Sequence, residues 1–305
     1  MRIMVVGIGG VGGYIASILC ASYEKDVTLV ARKARGESFR EHGLVLHSDF
    51  YGEHVFHPAV VETPAQAPVQ DIIFVCVKNY SLESALTSVQ PCVGPKTILV
   101  LIMNGVEHGE LVKQILPQAR LVSSSMYITS AYNKDYSIRQ MGKFARIFLG
   151  SQDKEAAQIA YELLHKVGLS CHLTEDIRVE EWNKYVLNCA YNVITAYYKG
   201  TIGEVLDKPN GKEEFHTLLQ ESYEVGKALG VALADSLVET NYKRILGQNN
   251  KNVSSSLARD VIAGRPNELE TFSGYLVETA HKLNVSVPLS ERMYKELKET
   301  CGQQA

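Results

Sequence analysis

Residues 2–12 read RIMVVGIGGVG, and this short stretch decides the fold of the first half of the chain. An apolar run ends in Gly7, Gly9 and Gly12, which form the pattern GxGxxG between an expected strand and an expected helix. In this pattern one glycine makes the tight turn, the next lets a pyrophosphate approach the backbone, and the third lets helix and strand pack closely. The stretch predicts dinucleotide binding, with an ordinary glycine-rich turn as the alternative.

Short apolar strands alternate with helices through the first half of the chain. Runs such as 72-IIFVCV-77 lack polar alternation, which is typical of strands covered by helices on both faces. This rhythm predicts an α/β fold with a Rossmann-type doubly wound parallel sheet. The segment 43-GLVLHSDFYGEHVFHPAVV-61 is expected to add a short hairpin to the sheet.

The pattern changes after Thr174, where helical periodicity takes over. We therefore predict two domains, a dinucleotide-binding Rossmann-type domain over 1–173 and an all-helical C-terminal domain over 174–305. No low-complexity linker separates the two parts, so a cleft between the domains is the default place for a ligand.

The residues after the second strand, 28-TLVARKAR-35, indicate which dinucleotide is bound. An NAD site usually has Asp or Glu about 20 residues past the glycines, to bind the ribose hydroxyl. Here Arg32 is expected to attract the 2′-phosphate of NADP, with Lys33 or Arg35 as helpers, because a planar guanidinium suits a phosphate. The alternative is that Arg32 is a solvated strand end.

A polar stripe runs along the apolar helix 181-EWNKYVLNCAYNVITAYY-198. Lys184, Asn188 and Asn192 are spaced by four residues, so they lie along one side of the helix. A lysine there can donate a proton to a carbonyl oxygen, and amides can hold hydroxyl or carboxylate groups. The alternative is that the asparagines satisfy one another and nearby backbone while the lysine extends to solvent.

The composition favours small molecules over macromolecular partners. A net charge of −3 and a pI near 6.3, without a long run of one sign, give no reason to expect nucleic acid or an anionic membrane surface. The start of the chain reaches glycine too early for a signal peptide, and no apolar run approaches about 18 residues. We therefore expect a cytoplasmic protein. Whether it forms a homodimer is left open.

Cysteine and histidine give no sign of a metal or a disulfide framework. None of the six cysteines forms a CxxC pair, which suits reduced, buried thiols. His54 and His57 form HxxH in the expected hairpin, where no third ligand is evident. We predict no metal.

The chain resembles the ketopantoate reductase family, the NADP-dependent 2-dehydropantoate 2-reductases. The matching segments span nearly the whole chain in the family's order: 7-GIGGVG-12, Arg32, Lys78 of VCVKNY, Asn104 and Gly105 of LIMNGV, 180-EEWNKYVLNCAYN-192, and 252-NVSSSLARDVIAGRPNELE-270. The resemblance implies an NADP-binding Rossmann-type domain over 1–173, an all-helical substrate-binding and catalytic domain over 174–305, and an active site between them.

The resemblance also implies a role for individual residues. Lys184 resembles the catalytic proton donor, and Glu268 the active-site glutamate beside it. The expected cofactor-binding residues are Gly7, Ile8, Gly9, Gly10, Val11, Gly12, Arg32, Lys78, Asn104, Ala131 and Glu268. The expected substrate-binding residues are Asn104, Lys184, Asn188, Asn192, Asn252, Ser254 and Ser255.

Several of these residues also have a purely structural interpretation. Ser254 or Asn252 could cap the helix LARDVIA, and Glu268 could favour a helix dipole. Asn104 could belong to a plain turn after a strand, and Lys78 could be a solvated strand terminus.

The expected activity is NADPH-dependent reduction of ketopantoate to pantoate, for pantothenate synthesis. The alternatives are another branched 2-oxo acid, such as 2-oxoisovalerate, or an NADP(H) sensor without catalysis. Three departures from the family's pattern put the substrate in question. Ile202 and Ser273 each align where an asparagine is common, and 131-AYNKDYSIRQMG-142 lacks the usual Pro-Gly.

Overall fold

The computed structural model describes residues 1–302 and divides the chain into two compact units, Met1–Ile177 and a second that starts at Arg178. This division lies close to the predicted boundary at residue 173. The functional roles of the two parts stay predictions.

The first unit is built on ten strands. They are β1 (Ile3–Val6), β2 (Val27–Val30), β3 (Leu44–Ser48), β4 (Gly52–Phe56), β5 (Ala59–Val61), β6 (Ile72–Val75), β7 (Ile98–Leu101), β8 (Arg120–Tyr132), β9 (Ile138–Gly150) and β10 (Ser170–Leu173).

Six of these strands form the parallel part of the sheet, in the order β5-β2-β1-β6-β7-β8. Ile3 of β1, for example, lies between Val27 of β2 and Ile72 of β6. This is the strand order of a doubly wound dinucleotide-binding sheet, which confirms the predicted fold class. The order reverses between β1 and β6, and ligands of such sheets bind outside the carboxyl ends of the strands at this point.

The sheet continues beyond β8 with an antiparallel partner, β9. β9 pairs along its other edge with β3 and with β10, both parallel to it. The predicted hairpin is present as β3 and β4, which are antiparallel. The last residues of the same segment form β5, which pairs instead with β2 at the far edge of the sheet.

Helices cover the sheet on both faces. Those of the first unit are α1 (Gly10–Tyr23), α2 (Lys33–His42), α3 (Leu82–Val89), α4 (His108–Ile115) and α5 (Lys154–Lys166), with short 3-10 helices at Glu24–Asp26, Pro64–Gln66, Asn79–Ser81 and Gln90–Cys92. Ile3 and Val5 belong to one buried cluster, whereas Met4 and Val6 belong to another. Neighbours in β1 thus enter different cores, which explains its continuous apolar run.

The second unit is helical, as predicted. Its helices are α6 (Ile177–Tyr197, which begins at the boundary residue), α7 (Ile202–Leu206), α8 (Gly211–Ala228), α9 (Leu237–Leu246), α10 (Ser256–Ile262), α11 (Tyr275–Leu283) and α12 (Pro288–Gly302). A π-helix at Glu270–Gly274 leads directly into α11. Within residues 1–302, no helix combines the length and apolar character needed to span a bilayer.

Candidate active site

The glycine loop lies at the carboxyl end of β1, and each of its glycines has a different surrounding. Gly7 has φ +89°, a conformation that glycine adopts without strain. A Cβ on Gly12 would lie 2.1 Å from the carbonyl oxygen of Gly7, so only glycine lets α1 pack this closely on the loop.

Gly9 differs, because no heavy atom of the described residues lies within 4 Å of where its Cβ would be. Open space beside the second glycine, at the start of α1, is what close approach of a pyrophosphate needs. The loop therefore fits a dinucleotide. Ile8, Gly10 and Val11 complete it, and a Cβ on Gly10 would meet the Ser130 carbonyl at 2.7 Å and Ala131 at 2.8 Å.

The remaining predicted cofactor residues of this unit follow other parallel strands at the same edge. Arg32 follows β2, is exposed, and donates from Nε to the carbonyl oxygen of Glu62 at 3.2 Å. Lys78 follows β6 and precedes the 3-10 helix at Asn79–Ser81, while Asn104 follows β7. Parallel strands end at one edge, so the structure brings these predicted residues to the edge that carries the glycine loop.

One hydrogen bond joins the loops that carry Lys78 and Asn104. Asn79 Nδ2 donates to Glu107 Oε1 at 2.7 Å, across the neighbouring strands β6 and β7. Asn104 itself precedes Gly105, which has φ +106°. The Asn79–Glu107 bond holds the two loops together, and no pattern in the sequence indicated it.

In the second unit, Lys184 and Glu268 form the titratable pair of the candidate site. Lys184 lies on α6, and Glu268, which is 3% exposed, lies just before the helical segment that starts at Leu269. Burial lowers the pKa of Lys184 to about 8, while the charge of Glu268 acts in the opposite direction and raises it. A lysine with this pKa is mostly protonated at neutral pH, yet gives up its proton far more readily than an exposed lysine.

The polar stripe on α6 is partly explained by structural bonds. Asn192, 7% exposed, donates to Asn188 Oδ1 at 3.4 Å, and its own Oδ1 accepts from Ser256 Oγ and the Leu257 amide, each at 3.4 Å. Asn192 therefore links α6 to the start of α10. Asn188 is half-buried, one turn from Lys184 on the same side of the helix.

The three residues predicted around the substrate carboxylate have different positions. Ser255 is the buried cap of α10, where its Oγ accepts from the Ala258 amide at 3.0 Å and from Thr195 Oγ1 at 2.7 Å. Ser254 donates to the Gly200 carbonyl at 3.2 Å, and Asn252 is exposed. The helix cap considered for Ser254 or Asn252 thus belongs to Ser255.

The π-helix after Glu268 was not expected from the sequence. Tyr185, the neighbour of Lys184 on α6, donates from its hydroxyl to the carbonyl oxygen of Thr271 in the π-helix at 2.6 Å. Tyr185 is fully buried and packs edge-on against Trp182 and Tyr275. The backbones that carry Lys184 and Glu268 are therefore connected through Tyr185, and single π-turns in helices are frequent at functional sites.

Residues that marked departures from the family's pattern lie inside the protein. Ile202 is 0% exposed and forms the first turn of α7, capped by Thr201. Ser273 is buried in the π-helix. The described cysteines are all free thiols, and no group of three or more His, Cys, Asp or Glu side chains within residues 1–302 could hold a metal ion.

A Rossmann sheet with an open glycine loop, and a helical unit with a half-buried lysine and a buried glutamate, define a nicotinamide-dependent oxidoreductase. Two family models identify the family to which the chain belongs. The model described as ketopantoate reductase PanE/ApbA matches residues 3–154, and that described as ketopantoate reductase PanE/ApbA C terminal matches residues 176–300. The chain belongs to the ketopantoate reductase family and is an oxidoreductase acting on CH-OH groups.

Curated relatives of similar length support the assignment. The uncharacterized oxidoreductase YkpB of Bacillus subtilis (strain 168) is 28% identical over 97% of this chain and 98% of its own. The 2-dehydropantoate 2-reductase of Mesorhizobium japonicum (strain LMG 29417 / CECT 9101 / MAFF 303099) is 26% identical over 94% of each chain.

Solved structures share the fold along the full length. A PanE/ApbA family ketopantoate reductase from Ralstonia eutropha JMP134 has a TM-score of 0.91 at 21% identity, covering 100% of this chain and 99% of its own. D-mandelate dehydrogenase, in a ternary structure with NADH and anilino(oxo)acetate, has a TM-score of 0.89 at 19% identity, with the same coverage.

Proposed function

We propose that this protein reduces 2-dehydropantoate (ketopantoate) to pantoate with NADPH, the pantoate-forming step of pantothenate synthesis. The observation that carries the proposal is the half-buried Lys184, whose pKa is lowered to about 8 by desolvation against the opposing charge of Glu268. NADPH, which the glycine loop and Arg32 would hold, would supply a hydride for the C2 carbonyl carbon. The carbonyl oxygen then needs one proton, and a protonated lysine can provide it.

In the proposed mechanism, the Lys184 ammonium donates a hydrogen bond to the substrate carbonyl oxygen and polarises the C=O bond. As negative charge develops on the oxygen, the proton moves from Nζ to it, which leaves a neutral amine and a hydroxyl group. Glu268 keeps Lys184 protonated before the reaction, because its negative charge stabilises the ammonium. Asn188, one helical turn from Lys184, would hold a polar group of the substrate, while Asn192 and the cap at Ser255 fix the surrounding backbone.

A second candidate substrate is another 2-oxo acid, such as 2-oxoisovalerate. The observation in its favour is Ile202, which aligns where an asparagine is common, so that this chain has no side-chain amide at that position. D-mandelate dehydrogenase, which shares this fold, was solved with NADH and anilino(oxo)acetate, so the fold accommodates other oxo acids and the other cofactor.

The test is the loss of NADPH absorbance by purified protein with ketopantoate and with 2-oxoisovalerate, each repeated with NADH. The proposal predicts that kcat/KM is highest with ketopantoate and NADPH. A higher value with 2-oxoisovalerate would replace the proposed substrate and leave the mechanism in place. Tight NADPH binding without turnover of either acid would contradict the catalytic proposal.

The pH dependence of kcat/KM reports the proton donor. Only the protonated Lys184 can act as the acid, so kcat/KM is expected to be level below pH about 8 and to fall above it. Glu268→Gln removes the negative charge that raises the pKa of Lys184, so the fall should begin at a lower pH.

The matched control is Glu270→Gln, which removes a carboxylate two residues away. Glu270 is bonded to Tyr294 and Lys298 and is largely exposed. Its profile should coincide with that of the unmodified protein. A profile of Glu268→Gln that stays in place, or moves to higher pH, would contradict the pairing of Glu268 with Lys184.

A further inference from the structure

The β8–β9 turn contacts the glycine loop through Arg35, a residue of α2. Arg35 Nη1 donates to the carbonyl oxygen of Ile8, the residue between Gly7 and Gly9, at 3.0 Å. Its guanidinium lies 4.8 Å from the ring centre of Tyr132 and 5.5 Å from that of Tyr136. Both distances are within cation–π range, so the guanidinium is held against the loop by three contacts.

The charge around Arg35 is suited to an anion. Arg32, Lys33 and Arg35 lie within four residues, and the sequence of the first turn of α2, KARG, contains no acidic residue. A guanidinium carries five N–H donors, of which the Ile8 carbonyl takes one. Arg35 therefore keeps donors for the oxygens of an anion while its orientation is fixed.

The position of Arg35 in the fold indicates which anion it would bind. In a Rossmann sheet, the end of the second strand is where the adenosine ribose is recognised, and the glycine loop is where the pyrophosphate binds. Arg35 connects these two places, because it lies in the first turn of α2, just after β2, and donates a hydrogen bond to the glycine loop. The anionic group that distinguishes NADP(H) at the end of the second strand is the phosphate on the ribose 2′ oxygen, and Arg32 and Arg35 both lie just after β2.

The tyrosines that hold Arg35 come from the segment that lacks the family's usual Pro-Gly. Tyr136 has φ +67°, a left-handed conformation that is strained for a large side chain. Asn133 closes the turn, since its amide donates to the Ser137 carbonyl at 2.8 Å and its carbonyl accepts from the Tyr136 amide at 3.0 Å. The turn thus keeps Tyr136 in a costly conformation that places its ring beside Arg35.

We propose that Arg35 is a cofactor-specificity residue that binds the 2′-phosphate of NADP(H) together with Arg32, and that Tyr132 and Tyr136 hold its guanidinium for this purpose. The inference rests on the proposed function, because it requires NADPH to be the cofactor. It selects Arg35 rather than Lys33 as the residue that acts with Arg32, and it assigns a role to the altered 131–142 segment.

The experiment measures the dissociation constants of NADPH and NADH by calorimetry for the unmodified protein and for Arg35→Met. Loss of a charge-assisted contact to phosphate should weaken NADPH binding by about tenfold or more and leave NADH binding within about twofold. Adenosine 2′,5′-bisphosphate should lose affinity as NADPH does, and 5′-AMP should not. The matched control is Arg40→Met on the same helix, whose guanidinium lies 3.4 Å from Glu62, and it should change neither constant.

Tyr136→Gly tests the holding role separately. Glycine removes the ring and also tolerates the left-handed conformation, so the fold should be kept while NADPH binding weakens severalfold. Equal weakening of NADPH and NADH in Arg35→Met, or no weakening of either, would overturn the inference. Those results differ from failure of the proposed function, in which the unmodified protein itself would show no preference for NADPH.

Discussion

Lys184→Met is expected to lower kcat by about 100-fold or more and to leave the dissociation constant of NADPH within about threefold. Methionine is close to lysine in length and apolar, so it fills the buried space without the proton donor. The measurements are steady-state kinetics with the preferred 2-oxo acid and direct titration with NADPH.

Two further variants make this result specific. Lys184→Arg keeps a positive charge but cannot release its proton in a useful pH range, so kcat should remain low. Lys295→Met removes an exposed lysine on α12 and should leave kcat unchanged. A kcat for Lys184→Met close to that of the unmodified protein would eliminate Lys184 as the proton donor.

Gly12→Ala is expected to destabilise the first unit strongly. The added Cβ would lie 2.1 Å from the Gly7 carbonyl oxygen and 2.8 Å from Cys76 Cβ, so α1 and the loop would have to separate. Overpacking of this kind costs on the order of 3 kcal/mol, which lowers the melting temperature of a domain of this size by roughly 10 °C. Thermal unfolding followed by circular dichroism measures the change.

Gly9→Ala is the matched control from the same motif. Its Cβ would meet no described atom within 4 Å, and its φ of −94° is ordinary for alanine. The melting temperature should stay within about 2 °C. NADPH affinity should nevertheless fall about tenfold or more, because the methyl group occupies the space proposed for the pyrophosphate. Equal melting temperatures for Gly12→Ala and the unmodified protein would contradict the packing role of Gly12.

Much of the fold was predictable because it depends on local patterns. Three such patterns are the glycine spacing, the apolar runs without polar alternation, and the change to helical periodicity after Thr174. Each depends on residues that are close together in the sequence. The predicted fold class and family are confirmed. The role of β5 was missed. Its three residues continue from a hairpin in the sequence, and only the pairing with β2 shows that they belong to the other edge of the sheet.

The family's motifs nominate candidate residues for the site one by one, but the sequence did not indicate the contacts between them. The bond from Tyr185 to Thr271 spans 86 residues, and the Arg35 contacts with Tyr132 and Tyr136 span about a hundred. Such contacts leave no periodic signal in one sequence. The roles of Lys184, Glu268 and the asparagines stay predictions until the variants are measured.

The π-helix at Glu270–Gly274 has a consequence for how this enzyme can change over evolution. In an ordinary α-helix, one inserted residue would rotate the residues on one side of it by about 100° relative to those on the other side. A π-turn contains one residue more than an α-turn, so it takes up such an insertion locally. The segment between Glu268 and α11 can therefore gain or lose one residue while the residues of α11 keep the faces with which they pack.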